Sequence, residues 1–263
     1  MIEHLERIEA LAEGHTGVAL RDMRLLEIGC GQRLSQTMYL ARWNDVVGID
    51  LDVVARGLDV RAYVTMLREN GPVRFAKTVG RKILGLDRAL GKELRRQVGP
   101  IRRPPTVMRM DAGDMSFADG SFDGVVSVSV FEHLADPAAV IGETARVLRP
   151  GGVVCIGLDL YTSEAGAHDP RIFSGNRAEL PLWAHLRPRH RDLVESNSFL
   201  NRLRLAKWYD LFRAAMPGVR FEHLRDDKFA PDLAKLREAG ELRDYTDEEL
   251  LTVELLAFWR KPA

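Results

Sequence analysis

Short apolar runs recur along this chain with helical segments between them, and this rhythm limits the possible folds more than any other feature. The first three runs end at a glycine or an acid. The runs cover residues 23–28, 46–49, 107–110, 122–128, 153–158, 219–224 and 251–259. Strands that alternate with helices predict a parallel sheet covered on both faces, so the pattern predicts an α/β protein.

One connection is far longer than the others. The segment 51–106 joins the second and third strands through 56 residues, whereas a crossover needs about a dozen or somewhat more. Its apolar residues recur every three or four positions, which predicts an amphipathic helical stripe with Arg and Lys on the other face. The stripe consists of Phe75, Val79, Ile83, Leu86, Leu90, Leu94 and Val98. We therefore expect residues 53–105 to form a helical insertion.

Charge is distributed by region, although Lys plus Arg (38) equals Asp plus Glu (38). Residues 53–105 contain 13 basic and 4 acidic side chains, and residues 222–254 contain 11 acidic and 5 basic ones. The two segments therefore predict two different surfaces. The insertion has few aromatic residues and no nucleic-acid-binding motif, which argues against a nucleic-acid partner.

The sequence also bears on where the protein works. It contains no apolar stretch long enough for a membrane span and no apolar signal core near Met1. Cys30 and Cys155 lie in apolar runs, which is typical of buried thiols in a reducing compartment. We expect a cytoplasmic protein, with the inner face of the membrane as a possible place of attachment.

The carboxyl ends of parallel strands are where such sheets bind ligands. At the first of these ends, Gly29 and Gly31 let the backbone approach a ligand closely. Asp50 follows 21 residues after Gly29 and is placed to accept hydrogen bonds from ribose hydroxyls. The dinucleotide-binding pattern Gly-x-Gly-x-x-Gly/Ala, started at Gly29, is not met because its last position is Leu34. Glu27, two residues before the turn, suits a ligand with a positive charge and an amino group.

Four segments of the chain, in their order, resemble the motifs of the class I S-adenosylmethionine-dependent methyltransferases. They are residues 25–31, 46–50, 111–123 and 147–152. The resemblance implies a Rossmann-like, seven-stranded, mostly parallel sheet with an antiparallel last strand and S-adenosylmethionine as cofactor. In that family the glycine turn touches the methionine part, the second acid holds the ribose, and the third strand's acid meets the adenine. The implied cofactor-binding residues are Glu27, Gly29, Cys30, Gly31, Asp50, Leu51, Asp111, Ala112 and Ser129. This chain departs from the family where Arg33 replaces a glycine.

The resemblance also implies one methyltransferase domain over residues 1–263. It has an N-terminal helix at 1–14, the insertion at 53–105, and acceptor-side loops and helices at 160–216. Acceptors in this fold lie over the fourth and fifth strands.

Two histidines, His133 and His168, follow the fourth and fifth strands, and a hydroxyl acceptor needs a base such as histidine. His168 is the preferred base because Asp169 stands beside it and Gly166 lets its loop bend. His133 is expected to lie deeper, where a Glu-His pair often only lines the cofactor pocket. No pair of residues has a trustworthy metal-ligand spacing, so no metal is predicted.

We expect O-methylation of a small-molecule, glycan or lipid-linked acceptor by direct displacement. Two alternatives are a non-catalytic S-adenosylmethionine-binding or membrane-surface adaptor and, less favoured, a nicotinamide-dependent oxidoreductase. Residues 74–103 have three interpretations: a solvated helix pair on the sheet edge, a cap over an anionic acceptor, and a peripheral contact with an anionic membrane.

Overall fold

A computed structural model describes residues 1–54, 60–101, 103–174 and 179–263. Its strands are β1 (Arg24–Ile28), β2 (Asp45–Asp50), β3 (Thr106–Arg109), β4 (Phe122–Val128), β5 (Leu148–Asp159), β6 (Arg220–Arg225) and β7 (Thr252–Arg260). Its helices are α1 (Ile2–Thr16), α2 (Ser35–Leu40), α3 (Val60–Glu69), α4 (Pro72–Ile83), α5 (Leu86–Val98), α6 (Pro137–Val147), α7 (Pro170–Ser174), α8 (Leu205–Ala215), α9 (Ala230–Glu238) and α10 (Asp247–Leu251). No helix in these ranges combines the length and apolar character that a bilayer span requires.

Within the described ranges, seven strands form a sheet in the order β3-β2-β1-β4-β5-β7-β6. β1 pairs in parallel with both β2 and β4, and β2 pairs in parallel with β3. Strand order reverses at β1, since the chain builds outward to β2 and β3 and then returns to β4 on the other side. A ligand cleft is expected outside the carboxyl ends of strands at such a reversal.

The last strand confirms the predicted antiparallel ending. Backbone bonds join Gly151 N to Lys261 O at 2.9 Å and Leu160 N to Val253 O at 3.1 Å. From Gly151 to Leu160 the residue number rises along β5, while the number of the bonded residue falls from 261 to 253. β5 and β7 are therefore antiparallel. The predicted α/β fold with a mostly parallel sheet is therefore confirmed.

The strands at the centre of the sheet are buried along most of their length because both of their faces are covered. In β1, the four residues after Arg24 are buried, including Glu27. In β2, Val46 to Ile49 are buried in the same way. Continuous burial is typical of parallel sheets with helices on both sides. Cys30 and Cys155 are buried, as predicted.

The insertion is helical, as predicted, but its apolar stripe does not lie on one face. Gly85, with φ of 67°, separates α4 from α5, and this left-handed residue ends the regular 3.6-residue repeat. Leu94 is buried, whereas Ile83 and Leu86 on either side of the break are exposed. The basic residues Arg56 and Arg102 of the predicted insertion lie outside the described residues.

Residues 226–251 hold two helices that the sequence reasoning missed, α9 and α10. A capping box marks the start of α10: Glu249 N donates to the Thr246 hydroxyl at 3.1 Å, and Thr246 N donates to the Glu249 carboxylate at 3.1 Å. The Thr-x-x-Glu spacing was the available signal.

The chain divides into two compact units. The first comprises residues 1–127, 139–155 and 258–263, and the second comprises residues 128–138 and 156–257. The first unit contains the predicted glycine turn and its acids. The second contains Ser129 and both candidate histidines. The organisation as one domain stays a prediction.

Candidate cofactor and acceptor sites

The glycine turn after β1 is fastened to β2 by backbone hydrogen bonds. Gly29 N and Cys30 N donate to the carbonyl oxygen of Ile49 at 2.8 and 3.1 Å. Gly29 and Gly31 have φ of 77° and 62°, conformations that glycine adopts without the penalty a Cβ brings. A Cβ on Gly31 would meet no atom within 4 Å, so the backbone there faces open space. This is an exposed backbone surface of the kind that a ligand can approach closely.

Asp50 holds both the glycine turn after β1 and the loop that follows β2. Its Oδ2 accepts a hydrogen bond from Gly31 N at 2.8 Å, and its Oδ1 accepts one from Asp52 N at 2.9 Å. A carboxylate oxygen can accept two hydrogen bonds, so an acid at this position is chemically suited both to hold the turn and to accept from a diol. Leu51 beside it is 66% exposed, and its role against a base stays a prediction.

Glu27 is a buried acid without full hydrogen bonding. It is 1% exposed, and within the described residues its Oε2 has no hydrogen-bond partner. Burial raises the pKa of Glu27 to about 8, and the negative charge of Asp50 adds to the increase. A cationic amino group at Glu27 would satisfy this oxygen and favour the charged carboxylate. The first unit therefore fits the methionine end of the cofactor that the resemblance implies.

A cavity of about 300 Å³ opens at this turn. Its lining joins Gly31 and Asp50 to side chains of the insertion, including Lys77, Thr78 and Arg81 on α4. Sequence reasoning missed these residues. In the sequence these residues belong to the polar face of an amphipathic helix. That pattern does not distinguish a cavity wall from a solvated surface.

The remaining predicted cofactor residues lie at strand ends. Asp111 follows β3, is exposed, and accepts a hydrogen bond from Gly113 N at 2.8 Å, with Ala112 inside that turn. In the second unit, Ser129 follows β4 with φ of 56°, and its backbone N–H donates to Gly157 O at 2.9 Å. Their roles toward a cofactor stay predictions.

Four ionisable side chains of the second unit converge. Glu132 and His133 belong to a 3₁₀ turn, Phe131–His133, that follows β4. Asp159 ends β5, and His168 lies in the loop beyond it. The His168 Nε2 lies 3.5 Å from Asp159 Oδ2, and the rings of His133 and His168 meet edge to face with centroids 5.0 Å apart. The two histidines predicted from sequence are therefore neighbours.

The expected pairing of His168 with Asp169 is wrong. Asp169 is fully buried and turns toward Arg171, whose Nη2 donates to its Oδ2 at 2.7 Å. Arg171 holds the pKa of Asp169 well below its usual range. Adjacent residues in a turn point in different directions, and the carboxylate that faces His168 is Asp159, nine positions earlier.

The expected order of depth is also reversed. The His133 side chain is 31% exposed and the His168 side chain 14%. His168 lies in a closely packed loop, where a Cβ on Gly166 would collide with the carbonyl oxygens of Leu160 and Tyr161. Gly166 is thus needed for close packing rather than for a bend over a pocket.

His133 has a defined tautomer because its Nδ1 lies 2.8 Å from the carbonyl oxygen of Phe199. A carbonyl oxygen only accepts, so Nδ1 carries the proton and Nε2 presents a lone pair. Burial lowers the pKa of His133, and burial together with the charge of Asp159 raises the pKa of Glu132 well above its ordinary value.

Comparisons with known proteins show similarity to methyltransferases. A family model described as a methyltransferase domain matches residues 70–156. An uncharacterized methyltransferase of Mycobacterium sp. (strain JLS) is 36% identical over 62 residues, which are 24% of this chain and 25% of that protein. The chain thus spans about a quarter of the length of the first curated relatives it matches. The ubiquinone biosynthesis O-methyltransferase of Hahella chejuensis is 26% identical over 210 residues, 78% of this chain and 70% of that protein.

Solved structures share the fold at low identity. The phosphoethanolamine N-methyltransferase 2 of Haemonchus contortus, in complex with S-adenosyl-L-methionine, has a TM-score of 0.52 at 16% identity, over 98% of this chain and 53% of that one. An S-adenosylmethionine-dependent methyltransferase from Mesorhizobium loti has a TM-score of 0.50 at 16% identity, over 97% and 98% of the two chains. In its match to the methyltransferase-domain model over residues 70–156 and in its strand order, the chain is similar to S-adenosylmethionine-dependent methyltransferases.

Proposed function

We propose that the protein is an S-adenosylmethionine-dependent methyltransferase that methylates a hydroxyl group of a small-molecule, glycan or lipid-linked acceptor. The observation that carries the proposal is that one carboxylate oxygen of Glu27 has no hydrogen-bond partner among the described residues, beside a glycine turn that Asp50 holds. A buried acid without a partner is costly, and the cofactor's ammonium group supplies the missing partner. The name of the Hahella chejuensis relative supports an oxygen acceptor.

The first unit provides the cofactor residues. Glu27 takes the amino group, Asp50 takes the ribose hydroxyls, and Leu51 covers the adenine. Gly29 and Gly31 offer backbone surface to the methionine part. When bound, S-adenosylmethionine would supply a methyl group on a sulfonium: an acceptor oxygen would bond to the methyl carbon as the carbon–sulfur bond breaks, and S-adenosylhomocysteine would leave.

The second unit provides the acceptor residues. His168 faces Asp159 and has His133 as its neighbour, so one of these imidazoles can take the proton of an acceptor hydroxyl. Histidine suits this role because its pKa lies near neutrality. We propose His168 as the main contributor and His133, with its Nε2 lone pair, as the second.

The direct test is release of S-adenosylhomocysteine from purified protein incubated with S-adenosylmethionine and a panel of phenols, sugars and lipid-linked hydroxyl compounds. Release that depends on an acceptor supports methyl transfer. Tight cofactor binding without release from any acceptor would favour a non-catalytic adaptor. Binding of a nicotinamide dinucleotide in place of S-adenosylmethionine would favour an oxidoreductase.

The protonation state of Glu27 is expected to make the binding of S-adenosylmethionine dependent on pH. At pH 7 the free protein holds Glu27 largely protonated, because its pKa is about 8. A bound ammonium lowers that pKa, so binding is expected to release up to about one proton, and affinity to rise between pH 6 and 7.5 while the ligand's α-amino group is still charged. Calorimetry in buffers of different ionisation enthalpy measures the release.

The matched variant for this experiment is Glu27→Gln, which keeps the shape and removes the proton. It should bind the cofactor with no proton release and a flatter pH dependence. The assignment of Glu27 to the amino group fails if wild type and Glu27→Gln release the same number of protons.

We also propose that the insertion attaches the protein to an anionic lipid surface. Residues 74–103 hold 10 basic and 2 acidic side chains. Around the break between α4 and α5, Ile83, Leu84 and Leu86 are 79%, 72% and 52% exposed, with Lys82 and Arg88 beside them. Exposed apolar side chains flanked by basic ones match the interface of an anionic bilayer.

Sedimentation with vesicles checks this contact. We expect binding to vesicles that contain phosphatidylserine, little binding to phosphatidylcholine alone, and loss of binding as salt rises from 0.1 to 1 M, since the Debye length falls from about 10 to about 3 Å. Leu84→Asp should weaken binding several-fold, whereas Leu193→Asp, at an exposed leucine of the second unit, should not. Binding that is independent of lipid charge and salt contradicts the proposal.

A further inference from the structure

The cluster in the second unit has the composition of a metal site. Ligand atoms of Glu132, Asp159 and His168 all lie within 4.8 Å of one another. The three residues come from two different loops, with Glu132 on the 3₁₀ turn after β4 and the other two at and beyond the end of β5. Their spacing of 27 and 9 positions along the chain matches no short metal motif.

Glu132 supplies an independent indication of a missing cation. The residue is 2% exposed, and neither of its carboxylate oxygens has a hydrogen-bond partner within the described residues. The nearest cationic candidate is His133 Nε2, 3.7 Å from Glu132 Oε1, which is beyond hydrogen-bond range. A carboxylate so deeply buried is costly unless it is paired or coordinates a metal.

The turn that carries Glu132 is rigidly held, so this burial is built into the fold. The Asn201 side-chain amide donates to the carbonyl oxygens of Phe131 at 2.8 Å and Leu134 at 3.2 Å. The backbone N–H of Asn201 donates to Glu132 O at 2.9 Å. Glu132 is thereby fixed with its carboxylate toward Asp159 and His168.

The separation of the other two ligands also suits an ion. His168 Nε2 and Asp159 Oδ2 are 3.5 Å apart, long for a charge-assisted hydrogen bond. Two ligands bonded at about 2.1 Å to a tetrahedral ion stand about 3.4 Å apart. His168 holds its position with φ of 52°, a strained conformation that tends to occur at functional sites.

We propose that Glu132, Asp159 and His168 bind one divalent first-row transition-metal ion. Two carboxylates and one imidazole suit Mn²⁺, Fe²⁺ or Zn²⁺, and three protein ligands leave coordination positions open for water or substrate. The role of the ion rests on the proposed function: a hydroxyl group bound to it ionises nearer neutral pH. With an ion bound, His168 would contribute to turnover as a ligand rather than by taking the acceptor's proton, and the Nε2 lone pair of His133 would be the proton acceptor.

Titration of the full-length, chelator-treated protein with Mn²⁺ tests the site, with free Mn²⁺ followed by electron paramagnetic resonance. We expect one site in the wild type and a rise in Tm on addition of Mn²⁺ or Zn²⁺. Glu132→Gln and His168→Asn should each weaken binding by at least the 10–100-fold that loss of a supporting residue commonly costs, and should abolish the rise in Tm. Asparagine at position 168 tolerates the positive φ, so this variant keeps the loop.

The matched control is His190→Asn, a histidine of the same unit outside the cluster, and it should bind Mn²⁺ like the wild type. The proposal is overturned if the wild type binds neither Mn²⁺ nor Zn²⁺, or if both cluster variants bind them as the wild type does. Circular dichroism of each variant reports whether it is folded. If Glu132→Gln is unfolded, His168→Asn decides the outcome alone.

Failure of this inference and failure of the proposed function give different results. A protein that binds S-adenosylmethionine and transfers methyl groups after chelation, without binding Mn²⁺ or Zn²⁺, overturns the metal site and leaves the function intact. A protein that binds Mn²⁺ through Glu132 and His168 but never binds S-adenosylmethionine has the metal site without the function.

Discussion

Replacement of His168 with alanine is expected to lower turnover of a hydroxyl acceptor by about 10²–10⁴-fold, the usual contribution of a positioned acid–base group. Affinity for S-adenosylmethionine should change little, because His168 is not among the proposed cofactor residues. Steady-state kinetics for the acceptor and calorimetry for the cofactor separate the two effects. A fall in kcat with an unchanged cofactor Kd is the expected result.

Two further variants serve as controls for the His168→Ala measurement. His168→Asn keeps the left-handed backbone that alanine strains, so it should lose activity without loss of stability. His190→Ala changes a histidine of the same unit outside the cluster and should retain normal turnover. Near-normal turnover in both His168 variants would refute the assignment and leave His133 as the acceptor-side histidine.

The second large effect is expected at Asp50. Asp50→Ala should weaken binding of S-adenosylmethionine and S-adenosylhomocysteine by about 1.5–3 kcal/mol, which corresponds to about 10–150-fold, because charge-assisted hydrogen bonds to the ribose are lost. The loss of the acceptor for Gly31 N also loosens the glycine turn. Isothermal titration calorimetry measures both affinities.

The control for Asp50 lies on the same strand. Asp45 is an exposed acid at the opposite end of β2, and Asp45→Ala should leave cofactor affinity unchanged. Asp50→Asn keeps the shape but not the charge, and it should fall between wild type and Asp50→Ala. Equal affinity in wild type and Asp50→Ala would remove Asp50 from the cofactor site.

The sequence by itself determined the fold class and most of the strands. Mostly apolar runs such as 23–28 and 122–128 are read directly as buried parallel strands, because burial on both faces favours apolar side chains at successive positions. The glycine turn after β1 and the acid at the end of β2 could also be predicted from the sequence, because both are local features at strand ends. The observed bonds from Ile49 and Asp50 to that turn agree with this reading.

Only the tertiary structure decided which side chains meet. The nearest acid in sequence to His168 is Asp169, yet Asp169 pairs with Arg171 while Asp159 faces the histidine. Helical periodicity placed Ile83 and Leu86 on one apolar stripe, but the left-handed Gly85 between them interrupts the repeat, and both are exposed. Local pattern sets the direction of a strand or helix. A turn's dihedral angles and the packing of distant segments set which groups come within a few ångströms, and no short window of sequence contains that information.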